Sequence, residues 1–408
     1  MSQTTFTPQA ASRMSPQEVR SSASLAAVIG LRMLGLFMII PVFTIYARTV
    51  PGGENATTVG IAIGIYGFVQ ALFYIPYGSL SDFLGRKVVI AIGLAIFAVG
   101  SVVAALAHDM NGLIVGRAIQ GLGAVSSAVI AFVADLTSEA NRTKAMAMVG
   151  GFIGISYAIA IVSAPVLFGW IGMSGIFMLI AALAVLAIAV VIWIVPTPDA
   201  RPVHRKAPFS TVLRNVELLR LNVGVFALHA TQIALFVVIP RALVAAGLPV
   251  AHHWQMYLPV MGLTFVLMVP AVIVAEKYGK MKPVLLGAIA LLLLGQVLLA
   301  AEPHTLWLVA TFLFIYFLGF NILEACQPSL VSKLAPGERK GAAMGVYNTT
   351  QSLGYAVGGA GGGWVLAHWN ANAVFGACSV LVFVWLIIAA GMAPPPQRGH
   401  GGATTGQH

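Results

Sequence analysis

The sequence is short of charge, of acid and of cysteine, and each shortage excludes something. Only 8% of its residues are charged, whereas a soluble domain carries roughly 25%. Asp and Glu number 12 against 22 Lys and Arg, so acids inside apolar segments are rare enough to examine one by one. Cys326 and Cys378 are the two cysteines, and both fall within apolar segments, which argues against a stabilising disulfide and a zinc site. No Walker nucleotide loop, His-Glu-x-x-His zinc motif or Gly-x-Ser-x-Gly nucleophile turn occurs. Energy from direct ATP hydrolysis is therefore unsupported, an intramembrane lipid-modifying enzyme is disfavoured, and no metal or cofactor is expected.

What remains is apolar. Hydrophobic residues make up 59% of the chain and the mean hydropathy is +0.93. A bilayer core about 30 Å thick needs about 20 apolar residues per helix. Twelve such segments lie near 22–48, 57–79, 88–107, 111–134, 142–168, 173–195, 220–246, 252–275, 283–301, 304–332, 340–366 and 371–393. The first run is too long for a signal-peptide core and lacks a cleavage site, so it reads as a permanent span.

The net charge of +10 acquires its meaning from placement. Of the 22 Lys and Arg, 18 fall in the termini and in the loops on the same side as the termini; the others are Arg32, Arg48, Arg117 and Arg241. By the positive-inside rule that side is cytoplasmic, so the basic residues set topology and no nucleic-acid partner is expected. Arg48 and Arg241 stand at span ends on the opposite side.

The chain divides at a segment with Pro196, Pro198, Pro202 and Pro208. The expected organisation is a flexible N-terminus at 1–20, a six-helix half at 21–195, a cytoplasmic linker at 196–219, a second six-helix half at 220–393 and a short tail at 394–408. A faint repeat agrees: Asp82-Phe83-Leu84-Gly85 and Glu276-Lys277-Tyr278-Gly279 both place an acid three residues before Gly.

Several residues point to chemistry. Glu324 is the one acid well inside a span, and burial disfavours a carboxylate's charge, which suits a group that loads and releases a proton. Arg32, deep in the first span, is its candidate counter-charge. Glu324 thus reads either as the proton carrier or as a structural partner of Arg32. His229 in the seventh span is a second candidate carrier, or a hydrogen-bonded packing residue. Asn321, Glu324 and Gln327 in the tenth span, and Asn348 and Gln351 in the eleventh, recur at three-residue spacing and so lie on shared helix sectors. With Gln120, Tyr157 and Gln232 they are expected to line a substrate cavity. Gly358 to Gly363 lie inside a span and read as close helix packing.

The turn Gly78-Ser79-Leu80-Ser81-Asp82-Phe83-Leu84-Gly85-Arg86-Lys87 resembles the loop between the second and third helices of major facilitator superfamily transporters, with Phe83 where the family usually carries a positive charge. Leu31-Arg32-Met33-Leu34-Gly35, Phe320-Asn321-Ile322-Leu323-Glu324 and Lys340-Gly341-Ala342-Ala343-Met344-Gly345-Val346-Tyr347 are similar to the YajR-like branch of bacterial drug–proton antiporters. The best-known members add a soluble C-terminal domain, whereas here only a tail to His408 is expected. The resemblance implies an all-α membrane protein of twelve helices in two pseudo-symmetric halves.

It also implies roles. Gly78, Asp82, Gly85, Arg86 and Lys87, extended by Asp135 and Arg142, would form a latch against the start of the eleventh helix near Gly337; an ordinary solvated turn is the plainer reading. Arg117, in Arg117-Ala118-Ile119-Gln120-Gly121, would take part in proton coupling, or tie helices together through carbonyls. Gly151, Ala164, Pro165 and Gly169 partly copy the fifth-helix antiporter motif. The expected function is proton-coupled export of small amphipathic compounds by alternating access, by a monomer in a bacterial inner membrane with both termini cytoplasmic. Its partners would be a small-molecule substrate, protons and the lipid bilayer. Import or facilitated passage of a specific metabolite, and a non-transporting membrane protein, are the alternatives.

Overall fold

A computed structural model describes residues 13–123, 125–138, 141–197, 210–301, 305–335 and 340–393. Half of the linker (198–209), the tail and Gly337 lie outside these residues. The described chain is helical: α1 (Pro16–Tyr46), α2 (Ala56–Leu84), α3 (Arg86–Ala105), α4 (Met110–Leu122), α5 (Ser126–Asp135), α6 (Arg142–Ala189), α7 (Ser210–Leu213), α8 (Val216–Ala245), α9 (Trp254–Lys277), α10 (Met281–Ala300), α11 (Leu306–Leu334), α12 (Lys340–His368) and α13 (Ala371–Ala390). Side-chain caps set many starts. Ser15 and Glu18 form a capping box on α1, and Asn55, Asp109, Asn215, Thr305 and Asn370 cap α2, α4, α8, α11 and α13.

Ten stretches among the described residues are long and apolar enough to cross a bilayer. One of them, Lys144–Ile194, holds two spans, because Gly172 adopts φ 64° and breaks α6. The 29-residue α12 adds the remaining span; its glycines dilute its hydropathy. Twelve crossings result, in two halves of six.

The fourth span departs from expectation. Instead of one helix over 111–134 it is α4 and α5, interrupted at Gly123, where a Cβ would stand 2.5 Å from the Gly93 carbonyl oxygen. Close approach to α3 takes precedence over helical continuity there. The second span also runs further than expected, to Leu84, where Gly85 at φ 97° ends it.

Glycine decides how the halves meet. A Cβ on Gly60, Gly64 or Gly67 of α2 would stand 2.3, 2.5 or 2.6 Å from the backbone oxygen of Gly359, Ala356 or Ser352 on α12. On the other face of α12, a Cβ on Gly358 would stand 2.2 Å from the Ala230 carbonyl of α8. The glycine run thus lets α12 touch α2 of one half and α8 of its own. These contacts favour the end remote from the α1 start, so the halves are packed together at the end opposite the basic loops.

Candidate functional site

His229 (α8) and Glu324 (α11) form the polar centre of the second half. His229 is 1% exposed, and its Nδ1 lies 2.9 Å from the Val225 carbonyl oxygen. A carbonyl only accepts, so Nδ1 carries a hydrogen and Nε2 decides the charge of the ring. Two groups converge on Nε2: the Gln351 amide nitrogen at 2.8 Å and a Glu324 carboxyl oxygen at 3.2 Å. With a neutral ring, Nε2 accepts from Gln351 and the carboxyl is best accommodated with its own proton. With a charged ring, Nε2–H faces a carboxylate and Gln351 must turn its amide oxygen inward. The cluster therefore offers one proton two seats, with Gln351 compatible with either by rotation. The Glu324 side chain is 34% exposed, yet its oxygen nearest the ring is buried and lacks an aligned hydrogen bond.

Aromatic residues enclose this cluster. Tyr355 of α12 meets the His229 ring edge-on at 5.0 Å, and Tyr157 of α6 reaches across the halves to Phe320 at 6.0 Å. Tyr157, Tyr347 and Tyr355 all lie within electrostatic reach of Glu324. The Tyr347 hydroxyl and the Gln232 amide oxygen are buried without an aligned partner, and the Tyr157 hydroxyl lies against the Gln232 side chain. Such orphaned atoms are costly, and here they gather around one carboxyl at the junction of the halves. Tyr347 escaped the sequence reading, although Tyr347, Gln351 and Tyr355 recur at four-residue spacing on one helix face.

The expected Glu324–Arg32 pair is not formed. Arg32, 1% exposed, gives hydrogen bonds to Ser126 Oγ at 2.7 Å and to the Tyr66 hydroxyl, inside the first half. Sequence placed Arg32 and Glu324 at similar depths, but packing turns Arg32 toward α2 and α5. Arg117, 2% exposed, also keeps to its own half. It donates to the Ala62 and Ile63 carbonyls at 3.4 and 3.5 Å and to Gln120 Oε1 at 2.8 Å. Its guanidinium lies 4.8 Å from the Tyr66 ring centre, so Tyr66 is shared by two cations. Among the described residues neither arginine has an ion-pair partner.

Three residues expected in the cavity wall pack elsewhere. Gln120 is fully buried and bonded to Arg117 and Ser101. Asn321 donates to Thr264 Oγ1 at 2.9 Å, tying α11 to α9. Gln327 is fully buried near Gly224. Residues three apart on a helix are about 60° apart around its axis, so a sector shared in sequence still divides between the junction and the interior. Asn348 lies beside Tyr74 of α2.

At the basic end Arg86 joins three elements. It pairs with Asp82 at 2.6 Å and with Asp135 at 2.7 Å, and also donates to Ser81. Lys87 reaches the Ile192 carbonyl at 3.5 Å, Arg142 donates to the Ala134 carbonyl at 3.4 Å, and a Cβ on Gly78 would stand 3.7 Å from Ser127. In the second half Glu276 bonds Lys333 and Ser329. On α6, Ala164 is buried beside Pro165, a Cβ on Gly169 would stand 3.5 Å from Ala251 of the other half, and Gly151 has open space.

Two six-helix halves that meet beside a largely buried polar cluster have the architecture of a membrane transporter, not of an enzyme. The Major Facilitator Superfamily model matches residues 25–358 and 253–407, and the chain belongs to that superfamily. It is 44% identical over 389 residues to the "Inner membrane transport protein YajR" of Escherichia coli (strain K12), covering 94% of this chain and 86% of that protein. It is 26% identical over 354 residues to "Multidrug resistance protein MdtH" of Yersinia enterocolitica, covering 82% and 83%. The solved human organic anion transporter MFSD10 has the same fold, with a TM-score of 0.69 at 18% identity over 92% of this chain and all (100%) of that one.

Proposed function

We propose that the chain exports small amphipathic compounds in exchange for protons, across a bacterial inner membrane with its basic loops and both termini in the cytoplasm. The observation that carries this reading is the His229–Glu324 contact, a titratable pair at the junction of two halves. Substrate and proton compete there: a compound that engages the Glu324 carboxylate or His229 Nε2 removes one of the proton's two seats. Alternating access would then present the cluster to each side in turn. The uneven distribution of basic residues supports the orientation, and the relatives named for inner-membrane transport and multidrug resistance support the location and direction.

Substrate-induced proton release from detergent-solubilised protein tests the coupling. Wild type should release protons on mixing with a transported compound, and Glu324→Gln should not. Equal release from both would remove Glu324 as a carrier. Inverted vesicles test direction, since exchange for protons gives uptake when the lumen is acid, whereas an importer or facilitator gives none driven by that gradient.

A further inference from the structure

The end at which the halves are packed together contains a small cavity built from both of them. Its walls include Thr44 and Arg48 at the end of the first span, Ala56 at the start of α2, and Val237 and Arg241 near the end of α8. Arg48 and Arg241 are close enough for their charges to oppose each other, and among the described residues neither has a hydrogen bond or an ion pair. Thr44 is 2% exposed, and its hydroxyl oxygen is buried without a partner. Ala56 is the first residue of a 29-residue helix, whose leading N–H groups and dipole add positive potential. The exposed Arg48, the half-buried Arg241 and an orphaned hydroxyl thus surround one space beside the start of α2, which Asn55 caps in part, and an anion satisfies all three. The cavity measures ≈ 10 Å³, room for about one small particle, which favours a halide over a phosphate or a carboxylate.

We infer that this is a binding site for a monatomic anion of chloride size, assembled only when the halves close at this end. The anion relieves the repulsion between one arginine of each half. Because its ligands come from both halves, it binds the closed arrangement more tightly than an open one and shifts the population toward closure. Chloride on that side of the membrane therefore acts as a regulator of the transport cycle, separate from the His229–Glu324 cluster.

The test uses the whole protein in detergent, with bromide or chloride as the probe and gluconate at equal ionic strength as the oversized control. Spin labels on the two halves at this end report the distance between them. Halide should shorten that distance saturably and gluconate should not. Arg241→Gln should raise the half-saturating halide concentration by about tenfold or more, since a charge-assisted contact is lost. Thr44→Val, which keeps the shape, should raise it less. The same halide response in Arg48→Gln and Arg241→Gln, or equal responses to chloride and gluconate in wild type, would overturn the site. Phosphate or phosphatidylglycerol replacing chloride at equal potency would overturn the assignment to a halide.

Discussion

The two halves place polar groups between equivalent helices and use them differently. In the first half, Arg32 of the first span bonds Ser126 of the fourth. In the second half, His229 of the seventh span meets Glu324 of the tenth. A guanidinium holds its proton throughout the physiological range and a hydroxyl has none to give up there, so the first pair is a fixed positive charge, sealed beside Tyr66. Imidazole is the side chain whose ordinary pKa lies near neutrality, and under the proposed function the second pair is the one that changes charge. One pseudo-symmetric frame thus holds a permanent charge on one side of the junction and, under the proposed function, a switchable one on the other.

The largest effect that tests this contrast is on coupling. Glu324→Gln and His229→Gln should each abolish gradient-driven accumulation while leaving substrate exchange measurable. Loss of exchange as well would show that the pair binds substrate without coupling it. The same assay with Arg32→Met should retain substrate-induced proton release, although the buried Tyr66 and Ser126 hydroxyls lose a partner.

The next effect is on the packed end. Gly64→Leu places side-chain atoms where even a Cβ would stand 2.5 Å from the Ala356 carbonyl. Overpacking of this kind costs about 1–3 kcal/mol, a shift of about 5–150-fold between states. Spin-label distances across that end should lengthen; an unchanged distance would mean that α2 and α12 yield locally.

Stability comes third. Arg32→Met should lower unfolding stability by about 1–3 kcal/mol through its orphaned hydroxyl partners, read as a lower thermal midpoint in detergent. A larger loss than that of Glu324→Gln would agree with a structural charge in the first half and a functional one in the second.

The smallest effect is at the basic end. Asp82→Asn removes a partly exposed pair but leaves Arg86 on Asp135, so the stability cost should stay under about 1 kcal/mol. If the loop is a latch, cysteine accessibility on the two sides should still shift from outward-facing toward inward-facing states. Lys333→Gln in the second half breaks the comparable Glu276 contact, and accessibility that responds equally to both changes would mean the two halves latch alike.

Much of this molecule was legible in its sequence. The apolar runs and the acid before Gly85 are local properties, and the runs placed most helices within a few residues. Glu324 stood out because a carboxyl in a span is rare. His229 was also singled out, but not as its partner, because it lies 95 residues away along the chain (324 minus 229) and nothing local records that the two helices bring them together. Gln120, Asn321 and Gln327 pack inside their own halves here for a related reason: spacing assigns a side chain to a helix sector, not to what that sector faces.

The sequence by itself determined that the chain crosses a membrane many times, that its basic residues gather on one side and that a single acid lies deep within a span. Hydropathy and charge placement act over short stretches of chain, so reading them needs no partner helix. Only the tertiary structure decided that Arg32 turns to Ser126 and Tyr66 while Glu324 turns to His229. It alone brought Arg48 and Arg241 together, because both choices depend on how closely glycine lets α2, α8 and α12 approach.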